Sequence, residues 1–98
     1  MKSQLLNIQK VFENRIRLGI MSALSLNETL DFNALKELLE LTDGNLATHL
    51  KTLQKHKYIQ KKQIIDNKPN TRYVITALGK KVFGEHITAL EGLLRQLK

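Results

Sequence analysis

Three histidines, nine carboxylates and three serines are the side chains from which catalysis or metal binding would start in this 98-residue sequence. Their spacing does not assemble them. His49 and His56 stand seven residues apart, whereas two imidazoles that share zinc on one helical face are four apart. Ser3, Ser22 and Ser25 have no histidine at a suggestive spacing. Glu37 and Glu40 flank Leu38 and Leu39, so they read as the solvated side of a helix rather than an acid–base pair. No glycine-rich phosphate loop and no dinucleotide fingerprint is present. Cysteine is absent, which excludes disulfides, cysteine-ligated zinc and thiol chemistry and suits a reducing, cytoplasmic setting. The expectation is no catalytic residue, no metal and no cofactor.

Charge carries more information. Sixteen Lys and Arg face nine Asp and Glu, for a net +7. The excess is local. Residues 1–48 hold five bases and six acids, residues 49–81 hold nine bases and the single acid Asp66, and residues 82–98 balance. One third of the chain therefore carries the whole surplus, which points to a polyanionic partner. No apolar run approaches the roughly 20 residues that span a bilayer, so no membrane partner is expected.

These residues need elements to hold them. The length suits one domain, with N-terminal helices over residues 1–25, a helix pair over 33–56, a hairpin over 58–76 and a terminal helix over 77–98. Asn14 is a candidate N-cap for a helix from Arg15 to Leu24, whose Ile16, Ile20, Ala23 and Leu24 form a buried stripe. Leu30-Asp31-Phe32 reads as a short isolated strand. Asn33 is placed as cap of a helix through Glu40, and Thr42 as cap of the next, through about His56. Ile59 to Ile65 and Thr71 to Thr76 read as strands around the turn formers Asp66-Asn67-Lys68-Pro69-Asn70. Thr76 caps the last helix.

Two short helices joined near Gly44 have the spacing of a helix-turn-helix. At about 100° per residue, Leu46, Leu50 and Leu53 cluster on one side of the second helix. Gly44, Thr48, Lys51 and Lys55 lie opposite, flanked by Asn45 and Thr52. No acid occurs from Gly44 to Gln63. A helix about 10–12 Å across fits a major groove about 12 Å wide. Asn can pair with adenine, Lys with guanine or phosphate, and Thr with a base edge or thymine methyl. His49 lies between the two faces, either as a phosphate contact or as a packing histidine. Lys61, Lys62, Lys68 and Arg72 put positive charge on the hairpin, with Lys68 and Arg72 assigned to its tip, for contact with the backbone or minor groove.

Phe83, Ile87, Leu90, Leu94 and Leu97 repeat at four, three, four and three, the seam of a coiled coil. They are read as a dimer interface, joined by Leu5, Ile8 and Phe12. Leu93 widens the stripe, which leaves an intramolecular core as the alternative.

The run Thr42-Asp43-Gly44-Asn45-Leu46-Ala47-Thr48-His49-Leu50, with Leu53, Tyr58-Ile59 and Arg72 to Gly79, resembles the short winged-helix transcriptional regulators related to the MarR and ArsR families. Asn14 to Met21 resembles the start of the same domain, so the likeness covers nearly the whole chain. It implies a mainly α fold with a small β-hairpin, a winged helix-turn-helix made dimeric by its terminal helices. It also implies a homodimeric DNA-binding repressor or activator, with Thr42 to His56 as recognition helix and Asp66 to Arg72 as wing. The chain departs from ArsR-type metal sensors in having no cysteine, and its terminal helices are shorter than those around MarR-type ligand pockets. The expected partner is double-stranded DNA with a palindromic operator. A winged-helix protein-interaction module and a nonspecific nucleic-acid binder are the alternatives.

Overall fold

The computed structural model describes residues 2–65 and 69–97. Lys68, assigned to the hairpin tip, lies outside them. The elements run α1 (Lys2–Asn7), a 3₁₀ turn (Lys10–Phe12), α2 (Arg15–Leu26), β1 (Leu30–Asp31), α3 (Phe32–Leu39), α4 (Asp43–Lys55), β2 (Ile59–Ile65), β3 (Pro69–Ile75) and α5 (Ala77–Gln96). The fold is a winged helix, mostly helical with one small antiparallel sheet.

Local chemistry sets the boundaries. The Asn14 side chain accepts the backbone N–H groups of Ile16 and Arg17, Thr42 accepts that of Asn45, and Thr76 that of Gly79. Each cap satisfies donors that the first turn leaves orphaned. The cap of α3 is Asp31 rather than Asn33, accepting Ala34 N–H at 2.7 Å. Its carboxylate sits where the helix dipole favours negative charge. The turn from α3 to α4 does not use Gly44, which lies within the first turn of α4. Glu40 instead takes the left-handed conformation, with φ 52° and ψ 54°. Leu41 N–H then reaches back to the Lys36 carbonyl, closing the end of α3. Asp43, at the start of α4, is neutralised by Lys36 at 2.8 Å.

The short strand is not isolated. β1 pairs with β3, and β3 with β2, so the sheet has the order β1-β3-β2. Leu30 lies opposite Tyr73 and Asp31 opposite Arg72, while Lys61 lies opposite Tyr73 and Lys62 opposite Arg72. Arg72 is thus on the central strand and not at the hairpin tip. Two-residue alternation puts Ile59, Lys61, Tyr73 and Ile75 on one face and Lys62, Arg72 and Val74 on the other. Ile59 and Tyr73 are buried against Ile20, Met21, Leu24, Leu35, Leu46, Leu50 and Leu53.

The terminal helices correct the reading of the apolar repeat. Phe12 is 1 % exposed and Phe83 7 %. Their rings meet edge to face at 5.3 Å, and Phe12 also packs on Tyr58 at 5.4 Å. Both residues belong to the chain's own core, not to a surface free for a partner. The buried line on α5 is Gly79, Phe83, His86 and Ala89, offset from the heptad seam. Farther along, Leu94 is 60 % and Leu97 79 % exposed. α1 packs across this far half of α5, with Gln4 against Gly92. At Gly79 the approach is closer still. A Cβ there would overlap the Tyr58 carbonyl, which accepts Thr76 N–H.

His86 ties the connector between α1 and α2 to α5. Its Nδ1 accepts Gln9 N–H at 3.0 Å, and its ring stands against Phe12. Burial lowers its pKa below the ordinary 6.5, opposed in part by the charge of Glu13. The unfolded chain therefore binds the proton more readily. The stabilisation is complete above the ordinary value and drains away as pH falls from there toward the lower folded value. His49, whose pKa is also lowered, acts in the same sense. Urea midpoints measured from pH 8 to pH 5 should fall on the acid side, and His86→Gln should flatten that fall. Equal pH dependence in both proteins would remove His86 as its source.

Candidate nucleic-acid interface

α4 hides one side and presents the other. Leu46, Leu50 and Leu53 are buried, whereas Gly44, Asn45, Thr48, Lys51 and Lys55 are exposed. Thr52 is half-buried, its hydroxyl donating to the Thr48 carbonyl at 3.2 Å. The reason is the register. Three leucines at four- and three-residue spacing commit one stripe to the core, and the remaining short polar and lysine side chains turn outward by default.

β2 runs beside this outer face. Thr48, Lys51, Thr52, Gln54, Lys55 and Lys61 line a shallow groove of about 650 Å³ between α4 and the hairpin. Three lysines thus border one trough that no carboxylate lines among the described residues. Such a trough raises the local concentration of an anionic ligand.

The other basic residues part company here. Lys62 follows Lys61 in sequence but points to the opposite sheet face, beside Arg72. Two like charges directly across a ladder repel. Arg72 is half-buried, and its Nε donates to Thr29 Oγ1 at 2.6 Å, which anchors it to the loop before β1. The hairpin therefore carries two separate basic surfaces, one continuous with α4 and one behind it.

His49 is half-buried at the edge of α4. Its Nδ1 lies 3.0 Å from Arg17 Nη1. Burial and the Arg17 charge both lower its pKa, so the ring is neutral near neutral pH. Arg17 escapes a reading of the sequence because it sits 32 residues away on α2, among the residues of an ordinary amphipathic helix. Among the described residues no group of three or more His, Cys, Asp or Glu is placed to hold a metal ion, and no helix is long and apolar enough to cross a membrane.

A three-helix core, a second helix of the pair with its polar side outward and a hairpin alongside define a winged helix-turn-helix protein. The chain belongs to the winged-helix DNA-binding domain family, whose sequence profile matches residues 16–94. It is 36 % identical over 90 residues to the uncharacterised protein MJ0432 of Methanocaldococcus jannaschii, a match covering 91 % of this chain and 98 % of that one. Among solved structures it resembles a transcriptional regulator homologue from Pyrococcus horikoshii, with TM-score 0.88, 28 % identity and 98 % of both chains covered. A MarR-like transcriptional regulator from Thermotoga maritima shares the fold, with TM-score 0.69 and 23 % identity over 86 % of this chain and 60 % of that one.

Proposed function

We propose that this protein is a sequence-specific, double-stranded DNA-binding transcriptional regulator that acts as a homodimer. α4 enters the major groove, and the hairpin lies on the backbone or in the minor groove. The observation that carries this reading is the exposed, acid-free face Gly44, Asn45, Thr48, Lys51 and Lys55, continuous across the groove with Lys61. Lysines supply affinity through phosphate contact and counterion release, while Asn45 and Thr48 have the groups to read base edges. His49 and Thr52 border that face, and Lys62 and Arg72 extend positive charge to the back of the hairpin. The family's DNA-binding character supports the choice over a protein-docking module, for which this polar face offers no apolar anchor.

Dimerisation is supported by the apolar side chains left open on the terminal helices. Leu5, Leu94 and Leu97 are exposed, and the structure adds Leu6. Ile8, Ile87 and Leu90 are half-buried, Ile87 packing against the chain's own core. A two-fold axis through these helices would set two copies of α4 about 34 Å apart, one turn of duplex, and the operator would be an imperfect palindrome.

The test is selection of genomic fragments by the purified protein. Recovery of one palindromic motif is the expected result. Asn45→Ala and Thr48→Ala should then relax discrimination at particular base positions, each by about 1–3 kcal/mol. Recovery of unrelated sequences, or unchanged discrimination in both variants, would contradict the assignment of these reading residues.

A further inference from the structure

Arg17 occupies an unusual place. It is half-buried on α2, yet no carboxylate pairs with it among the described residues. Its donors go to two neutral acceptors on two different elements. Nε donates to the Val11 carbonyl, in the 3₁₀ turn, at 2.7 Å. Nη1 lies 3.0 Å from His49 Nδ1, on α4. A guanidinium has donors only. His49 Nδ1 must therefore be the acceptor, and the ring proton must sit on Nε2. Among the described residues Nε2 meets no hydrogen-bond partner, and no buried side-chain nitrogen or oxygen is left unsatisfied. Nε2–H thus meets solvent, at the margin of the face that carries Asn45, Thr48 and Thr52.

We propose that Arg17 is a positioning residue for the DNA interface. It holds His49 in the tautomer that presents Nε2–H as a neutral donor to a backbone phosphate, and through Val11 it locks α4 to the connector leading from α1. This inference rests on the DNA-binding reading. It resolves the two roles open to His49 into one, since the same ring is packed through Nδ1 and available through Nε2. A neutral donor aimed at phosphate positions a helix on the duplex without releasing a counterion. The arrangement therefore predicts affinity without salt dependence, which separates it from the lysines.

Two measurements on the full chain test it. The first is the ¹⁵N–¹H spectrum of the His49 ring near neutral pH, without DNA. The native protein should show protonated Nε2 and unprotonated Nδ1, and Arg17→Ala should shift the ring toward a mixture of tautomers. The second is affinity for a duplex recovered in the selection above, across a salt series. His49→Ala should lose about tenfold in affinity with the salt slope unchanged, and His49→Gln, which can accept and donate at once, should recover most of it. Arg17→Ala should lose a similar factor and add nothing in the His49→Ala background. His49→Ala leaves the Arg17–Val11 bond in place, so it judges the proposal even if Arg17→Ala fails to fold. Native-like affinity in His49→Ala, additive losses in the double variant, or a slope reduced by about 0.9 in Arg17→Ala would each overturn it. If the native protein selects no duplex at all, the DNA reading falls, and the spectrum still decides what Arg17 does to His49.

Discussion

Removing Lys51, Lys55 and Lys61 together is expected to lower the salt slope of DNA binding by about 2.7 for each bound protomer, about 0.9 for every phosphate that is no longer neutralised. At physiological ionic strength the same change corresponds to roughly a hundredfold weaker binding per protomer. The effect should be nearly uniform across sequences, because phosphate contacts position the protein without reading bases. All three side chains are exposed around one groove, so their removal should leave the fold intact. Filter binding from 50 to 200 mM salt on the selected duplex and on a scrambled duplex measures both quantities. An unchanged slope would mean that the groove between α4 and β2 faces away from the nucleic acid. A weakening confined to the selected duplex would instead move the lysines into the group that reads bases.

Phe12→Ala is expected to destabilise the fold by about 3–5 kcal/mol, the usual consequence of deleting a buried aromatic ring. This would consume much of the stability of a domain whose total is on the order of 5–15 kcal/mol. The ring contacts Tyr58, Phe83 and His86 at once. Its removal therefore detaches the connector, the hairpin base and α5 from one another. Leu94→Gln with Leu97→Gln provides the contrast. Those side chains are 60 % and 79 % exposed, so the doubly substituted chain should keep its circular dichroism spectrum while its sedimentation shifts toward the monomer. A Phe12→Ala variant that stays folded and only dissociates would return Phe12 to the subunit interface.

How legible each feature is in the sequence depends on the range of the interactions that make it. Asn14, Thr42 and Thr76 are readable as caps because a cap is a contact between residues two or three apart. The leucine stripe of α4 is readable because helical period alone sorts its sides. Asp31 escapes as the cap of α3 because the same residue also pairs in the sheet, which hides the helix start inside a strand. Phe12 and Phe83 look like interface residues because a heptad and an intramolecular stripe overlap over two turns, and only the neighbour packed against the helix distinguishes them. Arg72 reads from sequence as part of the hairpin tip, whereas register sets it on the central strand β3, tied to Thr29.

Charge localisation, the acid-free outer face of α4 and the apolar periods are properties of residue order, and they already name the kind of partner and the helix that would meet it. Which lysine shares the groove with α4, how Arg17 reaches a histidine 32 residues away, and which aromatic rings are consumed by the chain's own core depend on strand register and on contacts between distant segments. Those contacts form only when the whole chain collapses around one core, and no local periodicity encodes them.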